Sequence, residues 1–174
     1  MGSDSKFQPD CMNCAALCCV VYAFDESDEF AIDKKENIPC PHLAENNLCL
    51  MHATLAEDGF PGCVAYDCYG AGQVIVQDVF KDKNWRKTPD ALPDISRAFR
   101  RLKRIHEIQA LLLASSRLPL DETFKSAMQS LYDALEPPAN GWTADNLADF
   151  PIKETEERAR QYFTSLRQLA SSNR

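Results

Sequence analysis

Residues 11–19 read CMNCAALCC, and the four cysteines packed into those nine positions govern how the rest of the chain is read. Four more thiols follow at Cys40, Cys49, Cys63 and Cys68, so all eight cysteines of the 174-residue chain lie between Cys11 and Cys68. That clustering makes them one device. The chain is long enough to bury an ordinary hydrophobic core, so cysteine chemistry is not needed merely to hold a very small protein together.

On a helix, Cys11, Cys14 and Cys18 fall within an arc of roughly 60° at about 100° per residue, with Cys19 on its edge. Thiols that converge repel one another once ionised, so the arrangement calls for a cation. Zinc held by four thiolates, or an iron–sulfur cluster, supplies it. The spacing C-x2-C-x3-C-C followed by the four later cysteines provides ligands for two four-coordinate sites or one larger polynuclear site. Cys18 and Cys19 are adjacent and point in different directions, which favours two sites or a bridging sulfur. The candidate metal ligands are therefore Cys11, Cys14, Cys18, Cys19, Cys40, Cys49, Cys63 and Cys68, with zinc as first choice and iron or an iron–sulfur cluster as the alternative.

Other uses of cysteine fit less well. A thioredoxin-like pair needs a βαβ neighbour, and the ferredoxin run, the haem-attachment motif and the radical-forming C-x3-C-x2-C order are absent. A disulfide framework matches the even count but suits a reducing compartment poorly. His42 and His52 lie inside the cysteine region; each is a possible ligand, but eight thiols suffice, and hydrogen bonding to thiolates or backbone is the preferred role. His106 reads as an ordinary core or surface histidine.

The pattern CMNCAALCC, followed by CPHL, LCLMH and GFPGCVAYDCYGAGQ, resembles the zinc- or iron-chelating CxxCxxCC (YkgJ-like) family, especially the cysteine-rich module of some bacterial pentapeptide-repeat proteins. The likeness covers about residues 11 to 80. It departs from the simplest family spacing in having three residues between Cys14 and the Cys18–Cys19 pair, and no pentapeptide repeat follows. The resemblance implies bacterial origin and metal chelation, and leaves the metal and the biological task open.

Around the cysteines the pattern predicts a mostly α protein with a small irregular α+β cysteine-rich module over 1–83 and a helical bundle or cap over 84–174, packed on the first. Asp10 is placed to cap a helix from Cys11 to about Cys19. VVYAF and EFAID read as two short strands in a hairpin, and LCLMHATLAEDG as a helix ended by Gly59. GQVIVQDVFK is ambiguous and is assigned to helix. Ala98, Leu102, Ile105, Gln109 and Leu112 recur at helical spacing and mark the longest helix. Asp121 caps another through Leu135, and Ala159, Tyr162, Phe163, Leu166 and Leu169 mark the last.

A net charge of −7 argues against nucleic-acid binding. The polar start MGSDSKFQPD does not read as a secretory signal, and no apolar run approaches the roughly 20 residues needed to cross a bilayer. A cytoplasmic location with no membrane partner is expected. Met-Gly-Ser at the start is a weak match to an acylation signal, because Lys6 stands where Ser or Thr is wanted. The run Arg97, Arg100, Arg101, Lys103 and Arg104 reads first as a solvated helix face and second as an anion or partner site. The leading function is thus a non-catalytic metal-ion binding protein with thiolate zinc sites in a structural or interaction role. One rival is an iron–sulfur protein with redox or enzymatic activity, in which Tyr66, Asp67 and Tyr69 would face a substrate. The other is an adaptor whose helical half binds a protein partner. No phosphate loop, paired-carboxylate or Ser-His-Asp pattern is visible.

Overall fold

A computed structural model describes residues 5–172. Residues 1–4, which carry most of the acylation match, lie outside them. Among the described residues the protein is mostly helical and has no sheet. In chain order the helices are α1 (Leu17–Val21), α2 (Pro61–Ala65), α3 (Ala71–Val74, continuing as a π-helical turn over Ile75–Val79), α4 (Leu92–Ser115), α5 (Glu122–Asp133), α6 (Ala144–Asp149) and α7 (Ile152–Ser172).

The organising element is α4, whose 24 residues make a rod of about 36 Å. Ile95, Phe99, Leu102, Ile105, Ile108 and Leu112 recur every three or four residues on its buried face, the stripe an amphipathic helix uses to dock on a core. The core cluster joins that stripe to Leu17, Val20 and Val21 of α1, Ala71 and Ile75 of the α3 segment, and Met128, Leu131, Leu147, Ala159 and Tyr162 from the later helices. Two polar side chains on the stripe are satisfied: Gln109 donates to Glu136 (2.7 Å), and His106 bonds through Nδ1 to the Tyr69 carbonyl (2.8 Å). Buried polar groups that lose water need such partners.

The caps follow local chemistry. Asp121 accepts the Phe124 amide at 2.9 Å and starts α5 as the sequence predicts. The short α6 is closed by a reciprocal box in which Thr143 accepts from Asn146 N (3.2 Å) and Asn146 accepts from Thr143 N (2.8 Å). The stretch assigned to helix around Gln73 and the amphipathic last helix are both present as helices.

The cysteine-rich part differs from its predicted form in three places. The predicted helix from Cys11 to Cys19 is instead a 3-10 turn at Cys11–Asn13, two alanines in the left-handed region (Ala15 at φ 49 and Ala16 at φ 57), and then α1. Asp10 accepts from the Asn13 side chain (2.8 Å) and caps no helix. The predicted hairpin survives only as isolated bridges, Phe24 to Lys34 and Ser27 to Phe30, with Phe24 and Phe30 stacked at 4.2 Å. Val20 and Val21 go to the core on α1, leaving the first strand too short to form. The predicted 48–58 helix is a chain of turns ending at Gly59, with Leu50 74% exposed. A short segment with no apolar face to bury lacks the packing that makes a helix of that length stable in water.

Candidate metal centre

Turns, not helices, present most of the thiols. Cys14, Cys40, Cys49 and Cys68 each open a tight turn, their carbonyls accepting from Leu17 (3.4 Å), Leu43 (3.0 Å), His52 (3.4 Å) and Ala71 (3.0 Å). Three of these turns also aim a backbone N–H at the sulfur: Ala16 and Leu17 at Cys14, His42 at Cys40 and Met51 at Cys49. A neutral thiol is a weak acceptor, and such amides favour the thiolate.

The turn carrying Cys11 and Cys14 is strapped to α3. Asp10 N donates to Gln73 Oε1 (3.2 Å), Gln73 Nε2 donates to the Gln8 carbonyl (2.8 Å), and Gln77 Nε2 donates to the Asn13 carbonyl (3.3 Å). Gly72 makes the closeness affordable, since a Cβ there would stand 2.8 Å from Cys14 Cβ. Cys68 sits just before that helix, across Gly70, whose φ of +69 and approach to the Lys6 carbonyl exclude a side chain. The left-handed pair Ala15–Ala16 is pinned by Trp85, whose indole Nε1 donates to the Ala15 carbonyl at 2.8 Å. Non-glycine residues in that region cost of order 1–2 kcal/mol each, so the surrounding bonds hold a strained reversal between Cys14 and Cys18.

A different set of bonds places the other thiols. Cys40 N donates to the Cys19 carbonyl (2.9 Å), Leu43 and Cys49 form a bridge, and Leu50 N donates to the His42 carbonyl (2.9 Å). Cys63 lies on α2, whose preceding residue Phe60 meets the His42 ring edge-on at 5.4 Å. The two regions meet at Cys18 and Cys19, whose sulfurs are 3.9 Å apart.

All eight cysteines are free thiols, Cys11 exposed, Cys14 buried and the rest in between. Burial raises Cys11, Cys14 (to about 11), Cys40, Cys49 and Cys63 (to about 11), and neighbouring thiols raise them further. In the Cys18–Cys19 pair the shared hydrogen bond raises Cys18 and lowers Cys19, and the Lys34 ammonium assists Cys19. Lys34 is 6% exposed and donates to the carbonyls of Val20 (3.0 Å), Lys35 (3.2 Å) and Tyr22. Burial depresses it, while Cys40, Cys19 and Cys18 oppose that. Among the described residues no three His, Cys, Asp or Glu side chains already surround a point that would hold an ion. The thiols are gathered as neighbours rather than closed into a cage.

Neither histidine of the module bonds to a thiol among the described residues; His52 is exposed and His42 packs on Phe60. Tyr66 is pushed far up by burial and by Tyr22 beside it, so its phenol keeps its proton, and Asp67 spends a carboxylate oxygen on the Tyr69 amide (2.7 Å). The basic run on α4 is largely paired: Arg97 with Asp94, Arg100 with Glu36 (2.7 Å), Lys103 with Glu107 (3.2 Å), and Arg104 with Glu156 (2.6 Å), while Arg101 donates to the Phe150 carbonyl (2.9 Å). Glu36, Glu156 and Phe150 are distant in sequence, so spacing could not show those partners, whereas Asp94 and Glu107 stand at helical i,i+3 and i,i+4 spacing. Lys34, Gln73, Gln77 and Trp85 were likewise missed; each acts through a backbone contact, and no motif flags such a role.

No helix of the described residues is long and apolar enough to cross a membrane. An uncharacterized protein, YybG of Bacillus subtilis (strain 168), is 33% identical over 127 residues, covering 73% of this chain and 46% of that protein. The chain thus spans about half the length of this curated relative. No family model matches the chain, and no solved structure matches it.

Proposed function

We propose that this protein binds metal ions through the thiolates of its eight cysteines, with zinc as the metal and a structural or interaction role rather than catalysis. The observation that carries the reading is the gathering of eight free thiols by tight turns and backbone bonds between distant segments, with the Cys18 and Cys19 sulfurs 3.9 Å apart. Crowded thiols ionise together only beside a cation. The donor set fits: thiolates select zinc, copper(I) and iron–sulfur clusters over hard cations. On this reading the eight sulfurs hold the metal, Lys34 offsets part of their charge, and the straps from Gln73, Gln77 and Trp85 keep the turns in place. The bound ion supplies charge neutralisation and cross-linking. In small modules structural zinc contributes about 10–16 kcal/mol, comparable with the whole stability of an ordinary domain at about 5–15 kcal/mol.

The test is elemental analysis with a visible spectrum on protein purified without oxygen and without a metal-affinity column. Colourless protein with stoichiometric zinc, whose residues 11–80 lose amide-exchange protection when a strong chelator strips it, supports the reading. Metal-free protein with unchanged protection sinks it. Brown protein with iron and acid-labile sulfide keeps the thiolate ligands but moves the function to an iron–sulfur centre.

A further inference from the structure

We infer that the eight thiols form two separate four-sulfur sites, Cys11, Cys14, Cys18 and Cys68 in one and Cys19, Cys40, Cys49 and Cys63 in the other, touching only along the Cys18–Cys19 edge. The inference rests on the metal-binding reading above and adds which thiols work together.

Two independent backbone scaffolds lead to it. The first site is built on α3: the Cys11–Cys14 turn is strapped to Gln73 and Gln77, Cys14 lies against Gly72, and Cys68 opens the turn that enters the same helix. The second is built on the 40–50 loop: Cys40 is hydrogen-bonded to Cys19, Cys49 is bridged to Leu43, and Cys63 follows Phe60, which packs on His42. The two scaffolds meet at the contact between Cys18 and Cys19, whose sulfurs are 3.9 Å apart.

On α1 consecutive residues project about 100° apart, which lets Cys18 join one set and Cys19, whose carbonyl accepts from Cys40 N, join the other. Four thiolates complete a zinc shell, and a set of four equally ligates a four-iron cluster, so the division holds for either metal.

The experiment reads metal stoichiometry in paired variants of the full chain, reconstituted without oxygen with zinc and, separately, with cobalt(II), whose thiolate absorption counts filled sites. Two equivalents are expected in the wild type. Cys11→Ser/Cys68→Ser and Cys49→Ser/Cys63→Ser should each keep one, whereas the cross-pair Cys11→Ser/Cys49→Ser should keep none. Equal losses from within-set and cross-set pairs overturn the division. A wild type that binds no metal sinks instead the reading on which the division rests. Should a variant fail to fold, alkylation mass spectrometry on wild-type protein titrated with zinc decides: protection must arise in the two named blocks of four, and protection in mixed blocks refutes the assignment.

Discussion

Acidification offers a sharp test of how α4 supports the cysteine region. His106 is 4% exposed on the buried face of α4, with Phe7 edge-on at 5.6 Å and its Nδ1 2.8 Å from the Tyr69 carbonyl. A carbonyl only accepts, so Nδ1 carries a proton, and at neutral pH Nε2 carries none because burial disfavours the charged ring. Burial pushes the imidazole down from 6.5 to about 4, outweighing the opposing hydrogen bond to Tyr69. The unfolded chain takes the proton near 6.5 and the folded chain resists it until about 4, so this contribution is complete above pH 6.5 and is lost as pH falls from there toward 4. Between pH 7 and pH 5 the loss works out at about 2 kcal/mol. Asparagine at 106 retains a neutral donor and cannot titrate. Urea unfolding of wild type and His106→Asn, followed by far-UV circular dichroism at both pH values, isolates the effect from proton competition at the thiols, which both proteins share. The variant is expected to be less stable at pH 7, because ring packing is lost, yet to fall by about 2 kcal/mol less on going to pH 5. Equal falls in the two proteins would refute the reasoning.

Other expectations follow from single contacts. Leu102→Ala, at a fully buried position in the middle of α4, should cost about 2–5 kcal/mol in urea unfolding. Gly72→Ala should destabilise by about 1–3 kcal/mol despite the better helix propensity of alanine, because its Cβ would meet Cys14 Cβ at 2.8 Å; a neutral or stabilising result would show that the strapped turn yields freely. Ala15→Gly, at φ 49, should raise stability by up to about 1 kcal/mol, and a clear loss would argue against a strained reversal there. Asp121→Ala should remove the cap on the Phe124 amide and lower stability by about 1 kcal/mol, read as a reduced thermal midpoint.

The helical half was legible because its signals are local. Ala98, Leu102, Ile105, Gln109 and Leu112 repeat at the spacing of one helix face, and all are buried; Asp121 stands where a cap must stand. The helix α6 announces itself only through Thr143 and Asn146, a box with asparagine in place of the usual glutamate or glutamine, and so was passed over. In the cysteine region the same reasoning fails for a physical reason. There the backbone is held by partners distant in sequence, such as Gln73 on Asp10, Cys40 on Cys19 and Trp85 on Ala15, and these override short-range propensity. The eight thiols could be picked out as candidates, but their neighbour relations could not. Those depend on a left-handed reversal at two alanines, residues that carry no mark of it in the sequence.

The tie between Trp85 and the Ala15 carbonyl also makes the protein optically self-reporting. The chain has two tryptophans, and this one, 7% exposed, has its indole N–H fixed to the backbone of the Cys14–Cys18 reversal and the Arg86 guanidinium 4.3 Å above its ring. Any rearrangement of that reversal, including the closing of sulfurs around an ion, must change the environment of the excited indole and therefore the wavelength and yield of its emission. With Trp142→Phe, Trp85 becomes the sole emitter, and events at the thiols can be followed in real time without attaching a dye.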